Sequence, residues 1–391
     1  MAALLLDAHT TESTVRQVSE MLRAGKLVVL PTETVYGIAV NLLSPARARL
    51  KALKQLPDNP HWVIHVPSGD HALERYLPDL PPVGRRLVQK CWPGPVALQV
   101  QPSAREHTLL QALLGDALAE IWVENMPHSA PSYTLRCPDF FVTQEILAAA
   151  GVPVAIIGAN PSGMEQATDA AGVVEAVREN VDAVVDGGPT RYRKPSTLVR
   201  LDAEGLKVLR PGVIDERILY RLTDMVILFV CSGNTCRSPM AAGIAAMMIA
   251  EKLGTTPADV LGKSAKPAGS KAGEKPGAGV LVMSAGVHAS RGMRATLEAV
   301  QAAKELGADL GAHLSQPATI DVLRRADVIY TMTAAHLEEV VSILPSAAKK
   351  THRLDPQGDI DDPIGADSRT YRQVAGHLQE VIRMRLKEIL P

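Results

Sequence analysis

The sequence is poor in aromatic side chains, with three Phe, three Trp and seven Tyr in 391 residues. Proteins that stack successive nucleic-acid bases rely on such rings, so a stacking platform is not expected to dominate. Cysteine is scarce as well. The four present, Cys91, Cys137, Cys231 and Cys236, do not make a disulfide framework, and no pair has zinc-ligand spacing with histidines nearby. No metal site is expected, and a reducing, cytoplasmic compartment fits. Charge of either sign is not in excess: the net value is −1, so no global field recruits nucleic acid or an anionic membrane. No apolar run is long enough to span a bilayer, so no membrane partner is expected. The opening Met-Ala-Ala-Leu-Leu-Leu reaches Asp7 too soon to form the apolar region of a signal peptide. The length accommodates two or more domains, each with its own core.

The most informative stretch is residues 226–240, Val-Ile-Leu-Phe-Val-Cys-Ser-Gly-Asn-Thr-Cys-Arg-Ser-Pro-Met. It reads as an apolar strand, a tight polar loop, and a helix that opens with Pro239. A loop entering a helix points free backbone N–H groups inward, where an anion can sit. Arg237 adds a planar, permanently charged fork that matches phosphate oxygens. Cys231 stands beneath that anion, in a field expected to lower its pKa and hold a thiolate. A thiolate under a phosphoryl group is a nucleophile aimed at phosphorus. A lone core cysteine before an ordinary turn would not require Arg237 and Ser238 at these offsets.

A second chemical element is Asp359-Ile-Asp-Asp-Pro-Ile-Gly, residues 359–365. Thiolate attack on phosphorus needs a proton donor for the leaving group, and then a base for the hydrolytic water. Asp362, directly before Pro363, is the candidate. Asp361 beside it is expected to raise its pKa through like-charge repulsion. A plain turn acid before proline is the competing reading.

Along the chain, helices are expected over 11–24, 45–54, 167–179, 240–253, 294–306, 320–325, 335–344 and 371–390. Strands are expected over 27–30, 61–66, 96–100, 152–157, 183–185, 226–230, 280–283 and 328–331, with a β-pair at 196–201 and 206–209. Their alternation implies an α/β protein. Residues 214–225 link two halves and leave room for one or two helical turns, so the domains are drawn as 1–219 and 220–391. In the second half, the β-α order implies a doubly wound parallel sheet with the loop at a strand's C-terminal end. Residues 254–280, rich in Gly, Ala, Pro and Lys, read as a mobile insertion. Its lysines, Lys263, Lys266, Lys271 and Lys275, are either solvated or contacts for an acidic partner. In the first half, Thr32, Thr34, Asn160, Ser162, Ser196 and Thr197 sit at strand ends. Small polar groups there line a ligand pocket or serve turns and caps.

From residue 225 onward the chain resembles the low-molecular-weight protein tyrosine phosphatase family. The likeness rests on Phe229-Val-Cys-Ser-Gly-Asn-Thr-Cys-Arg-Ser-Pro-Met-Ala, Ser284-Ala-Gly, Thr331-Met-Thr and Asp362-Pro363. It implies a phosphocysteine intermediate, with Cys231 as nucleophile, Arg237 as phosphate clamp and Asp362 as general acid. Ser232, Gly233, Asn234, Thr235, Cys236 and Ser238 complete the phosphate loop. Ser238 would hydrogen-bond the thiolate and Asn234 would hold the loop in shape. No cofactor is implied, and the partner is a phosphorylated protein. Cys236 reads either as a reversible disulfide partner for Cys231 under peroxide or as a small core filler. Thr235, where tyrosine phosphatases carry an aliphatic residue, and Ile364-Gly-Ala after Pro363, where they carry aromatics, bring the chain nearer the protein-arginine phosphatase branch. Phosphoarginine is favoured over phosphotyrosine on that basis, although that branch has Phe where this chain has Ile364.

Residues 10–214 resemble the YrdC-like family of threonylcarbamoyl-AMP synthases. The collinear matches are Pro31-Thr-Glu-Thr-Val-Tyr-Gly, Lys54-Gln-Leu-Pro-Asp-Asn-Pro, Trp92-Pro-Gly-Pro, Arg136-Cys-Pro-Asp, Ala159-Asn-Pro-Ser-Gly, Asp186-Gly-Gly-Pro, Ser196-Thr and Leu209-Arg-Pro-Gly. The resemblance implies joining of threonine, bicarbonate and ATP, with magnesium, for tRNA modification. Thr32, Lys54, Asn59, His65, Arg136, Asn160, Thr168, Ser196 and Arg210 would line the cavity. Lys54, Arg136 and Arg210 would meet the phosphates and the carbamoyl carboxylate. Two positions depart from the family pattern. Leu56 replaces a cation, and Gly158 replaces a serine hydroxyl. The alternative is a non-catalytic nucleotide- or RNA-binding module in this half, beside a phosphatase acting on phosphotyrosine.

Overall fold

The computed structural model describes residues 3–8, 11–57, 60–121, 131–161, 163–202, 205–262 and 279–390. The chain divides into two compact units, Met1–Leu222 and Thr223–Pro391. The division falls inside the helix Glu216–Thr223, which fills the expected link.

The first unit is built on a ten-stranded mixed sheet. In chain order its strands are β1 (Leu4–Asp7), β2 (Val28–Leu30), β3 (Gly37–Asn41), β4 (Val63–His65), β5 (Val96–Val100), β6 (Tyr133–Arg136), β7 (Val154–Gly158), β8 (Ala183–Asp186), β9 (Thr197–Asp202) and β10 (Gly205–Arg210). Their spatial order is β1-β8-β2-β3-β7-β4-β6-β5-β9-β10. Successive side chains on a strand face opposite ways, and β2 shows the consequence. Val29 joins one apolar cluster with Ile38, Val40 and Ile64. Val28 and Leu30 join another with Val18, Leu22 and Ile146 from the helices Thr11–Arg23 and Phe141–Ala150. Each such side chain contributes on the order of 1.5–3 kcal/mol by leaving water.

The second unit holds a four-stranded sheet of β11 (Met225–Cys231), β12 (Val280–Gly286), β13 (Val328–Thr331) and β14 (Thr351–Arg353), in the order β12-β11-β13-β14. Every neighbouring pair is parallel. Ile227 and Phe229 pack with the helices Arg237–Leu253, Leu297–Glu305 and Ser368–Ile389. Val226, Leu228 and Val230 pack on the other face with Leu323 and Val340, from Ile320–Arg325 and Ala334–Ile343. This is a doubly wound sheet. The chain leaves β11 toward β12 on one side and later fills β13 and β14 on the other. The C-terminal end of β11 is therefore a topological switch point, where such sheets hold ligands.

Three expectations need correction. The helix expected over 167–179 is confined to Glu175–Arg178. The Asn160 side chain bonds Glu165 O, Gly172 O and Val174 N, which ties the preceding segment into turns. The helix expected to open with Pro239 begins at Arg237. The tract 254–280 is not uniformly irregular: Pro257–Val260 is a short helix with a Thr256/Asp259 capping box, and Val260 is buried. Its four lysines lie outside the described residues. Strands β1, β3, β6 and β14 have no counterpart among the strands expected from the sequence.

Candidate functional sites

In the second unit, Cys231 is the last residue of β11 and is 3% exposed. The chain then turns through Ser232–Cys236 and enters the helix at Arg237. The turn needs a left-handed residue, and Asn234 supplies it at φ +54°. Asparagine tolerates that region because its short side chain bonds locally. Here Asn234 Nδ2 donates to Ser238 Oγ at 2.9 Å, and its Oδ1 accepts the Gln316 N–H at 2.9 Å. His313 Nε2 lies 2.8 Å from the Asn234 carbonyl oxygen. The loop also requires Gly286 at the end of β12. A Cβ there would lie 2.4 Å from Ser232 O and 2.8 Å from Asn234 N.

This packing concentrates donors on sulfur. The Asn234 N–H donates to Cys231 Sγ at 3.3 Å, and Ser238 Oγ lies 2.9 Å away. Even so, burial pushes the Cys231 thiol up, against the opposing pull of Ser238, the Asn234 amide and Arg237. The sequence reading expected a lowered value. Its reason was polar surroundings, but Cys231 also sits among Phe229, Ile227 and Met240 in an apolar cluster, and desolvation penalises the thiolate. Cys236 is buried, with Sγ 3.4 Å from Tyr371 Oη.

Arg237 donates through Nη1 to Ile360 O at 3.1 Å, and through Nη2 to Asp362 in an ion pair. The same Nη2 reaches Ser232 Oγ at 3.5 Å. The charge paired with Asp362 is thus the Arg237 guanidinium. Pro363 is buried and Ile364 exposed, and neither residue carries an aromatic ring. The loop, Arg237 and Asp362 meet at the end of β11. His313 and Gln316 were not anticipated, and Gly286 stands in the Ser284-Ala-Gly match without an assigned role, because their contacts depend on a neighbouring strand and on a segment some eighty residues away.

The first unit contains a cavity of about 340 Å³ lined by Thr32, Lys54, His65, Arg136, Asn160, Ser196 and Arg210, all anticipated. Leu56 and Gly158 line it too. Thr168 does not; its carbonyl accepts the Thr190 N–H. Asn59 and Ser162 lie outside the described residues. Lys54 was expected to face phosphate. Instead its ammonium donates to Gly158 O at 2.7 Å, Ala159 O at 3.2 Å and Asn160 O. That engages all three of its donors. Burial pushes its pKa down to about 8. Arg136 pairs with the buried Glu33 at 2.6 Å and donates to Thr34 at 2.8 Å, while its Nε is buried without a partner. Arg210 donates to Ser196 O at 3.2 Å. Burial, and then Arg136, holds His65 down at about 3, so its ring is neutral, with Nδ1 on Val63 O at 2.9 Å.

His61, Tyr36 and Gln166 also line the cavity and were missed as site residues. His61 had a legible signal, since it shares His65's parity along an extended segment. No carboxylate lines the cavity among its described residues.

The family profile described as "Low molecular weight phosphotyrosine protein phosphatase" matches residues 226–275 and 270–390. The Sua5/YciO/YrdC profile, described as "Telomere recombination", matches residues 20–212. The protein-arginine-phosphatase of Bacillus subtilis is 34% identical over 170 residues, which are 42% of this chain and 97% of that protein. A Mycobacterium tuberculosis protein provisionally named threonylcarbamoyl-AMP synthase is 34% identical over 212 residues, 53% of this chain and 89% of that one. The chain is a fusion of these two families.

The fusion's first half also matches the threonylcarbamoyl-AMP synthase of Pyrococcus abyssi, 30% identical over 231 residues. That match covers 58% of the fusion and 63% of the archaeal protein. Both halves of the fusion thus belong to enzyme families, one of them hydrolytic. Among the described residues, no helix is long and apolar enough to cross a membrane.

Proposed function

We propose that the second unit is a protein phosphatase acting on phosphoarginine through a phosphocysteine. The reading is carried by the convergence of Cys231, Arg237 and Asp362 at the end of β11, with a backbone N–H and Ser238 already aimed at the sulfur. The Cys231 thiolate attacks phosphorus, the bond from phosphorus to the arginine nitrogen breaks, and Asp362, protonated once the phosphoryl group has taken Arg237 from it, gives that nitrogen its proton. Asp362 then takes a proton from water as the water oxygen displaces sulfur. Arg237 clamps the phosphoryl oxygens throughout. Thr235 on the loop, and the exposed aliphatic residue after Pro363, support a flat polar leaving group over a phenol. Paired phosphoarginine and phosphotyrosine protein substrates test this. Release of phosphate from the first, lost in Cys231→Ser, is expected; preference for the second would leave the phosphatase and remove the arginine assignment.

The first unit is proposed to bind ATP and threonine in the cavity lined by Arg136 and Arg210, and to make a threonylcarbamoyl adenylate with bicarbonate for transfer to tRNA. Arg136 and Arg210 at a cavity that no carboxylate lines among the described residues support an anionic ligand. A second reading, nucleotide binding without turnover, is favoured by one observation: Lys54 is engaged by three carbonyls while Leu56 supplies no replacement charge. Pyrophosphate release that depends on both threonine and bicarbonate distinguishes them. ATP binding without that release supports the second.

A further inference from the structure

His336 is a buried imidazole to which the proposed hydrolysis gives no role. It is 5% exposed and lies in the first turn of the helix that follows β13. Each ring nitrogen has a hydroxyl oxygen 2.8 Å away, Thr333 Oγ1 at Nδ1 and Ser232 Oγ at Nε2. One direction of this chain gives every hydroxyl and ring nitrogen a partner. Thr333 Oγ1 already accepts the His336 backbone N–H, at 3.2 Å, as the helix cap. Its own proton is free to go to Nδ1. A neutral imidazole accepting at Nδ1 carries its proton on Nε2, and so donates to Ser232 Oγ. Burial, and then Arg237, pushes the His336 pKa down, which keeps the ring neutral. Ser232 Oγ also receives Arg237 Nη2. With donors arriving from two sides, the serine proton must point elsewhere. The hydroxyl adjoins Cys231 in sequence and shares the Nη2 that pairs with Asp362, which puts it at the rim of the anion loop.

We propose that Thr333, His336 and Ser232 form a one-way hydrogen-bond chain that presents the Ser232 O–H to a phosphoryl oxygen, with His336 as a positioning residue. The inference rests on the phosphatase reading of the Cys231 loop. The chain adds a fixed donor beyond the backbone amides and Arg237, aimed where charge gathers as phosphorus is transferred. Because the serine would otherwise rotate freely, the benefit depends on the histidine.

The test uses the full chain and an aryl phosphate, with His336→Leu, His336→Gln, Ser232→Ala and the Leu/Ala double variant. Ser232→Ala and His336→Leu are each expected to lower kcat about tenfold with a smaller change in KM, the scale of one hydrogen bond to a charged group. The double variant is expected to lose no more than either single one, since both break the same chain. His336→Gln, whose amide N–H can reach Ser232, is expected to recover most of the rate. Should His336→Leu fail to fold, Ser232→Ala carries the test alone. Additive losses, or wild-type kcat in either single variant, would overturn the proposal while leaving the phosphatase intact. Wild-type protein without Cys231-dependent hydrolysis would overturn both.

Discussion

The Arg237 guanidinium is paired with the Asp362 carboxylate across the mouth of the Cys231 loop. Arg237 is 6% exposed at its side chain and Asp362 41%, so the acid is the partner free to swing away. On the proposed mechanism, an arriving phosphoryl group takes Nη2 from Asp362 and releases the carboxyl toward the leaving group. Asp362→Ala should therefore do two opposite things. It should cut kcat by about a hundredfold or more, the range of a lost general acid. It should also tighten inhibition by inorganic phosphate or vanadate, because Arg237 no longer has a competitor. Steady-state rates with product-inhibition constants check both. A weaker kcat with unchanged phosphate affinity would show that the ion pair does not compete with the anion.

Ser238 pulls the Cys231 thiol down while burial pushes it up. Removing the hydroxyl leaves burial less opposed. Ser238→Ala should raise the half-point for Cys231 alkylation by about one pH unit, which corresponds to one net hydrogen bond of about 1.4 kcal/mol. Rates of iodoacetamide modification against pH, with the modified cysteine assigned by mass spectrometry, measure it. An unmoved or lowered half-point would mean that the hydroxyl bonds the thiol rather than the thiolate.

Gly286 is set by close approach rather than by φ. Its missing Cβ would overlap Ser232 O and Asn234 N, both rigid parts of the loop. Gly286→Ala should displace the Asn234 amide from sulfur and lower phosphatase kcat/KM by about a hundredfold, the loss typical of removing one preorganised anion donor. ATP binding by the first unit, followed by calorimetry on the same sample, should be unaffected. A phosphatase rate within about threefold of wild type would show that the loop yields instead.

The sequence made the Cys231 loop of the second unit legible because that loop is local. Strand, turn, nucleophile and cation follow one another within a dozen residues, and each leaves a mark on neighbouring positions. What surrounds the loop is not local. Gly286, His313, Gln316 and His336 come from other elements, and their hydrogen bonds exist only after β12 and β13 flank β11. The first unit shows the opposite limit. Its cations could be named, but Lys54 as a tether for the backbone of 158–160 could not. A lysine's charge is visible in a sequence, whereas the carbonyls that surround it are placed by β7. The same holds for segment 167–174, where apolar spacing suggests a helix and the Asn160 side chain enforces turns.

His65 gives a pH signature to the first unit. Its ordinary value is 6.5, and in the fold burial and Arg136 hold it at about 3. Above pH 6.5 neither the folded nor the unfolded chain protonates it, and its contribution to stability is complete. Below 6.5 the unfolded chain takes up a proton that the folded chain refuses until about pH 3, so stability drains away across that window. His65→Asn keeps a donor that can reach Val63 O and removes the titration. Between pH 7 and pH 4.5 the variant should lose about 2.5 kcal/mol less unfolding free energy than wild type, since each pH unit across the window costs about 1.4 kcal/mol. Tryptophan fluorescence reads this unit selectively, because Trp62, Trp92 and Trp122 all precede residue 223. Urea titrations at the two pH values supply the comparison. If wild type and variant lose the same stability on acidification, His65 is protonated in the folded state and the neutral ring assigned to the cavity is wrong.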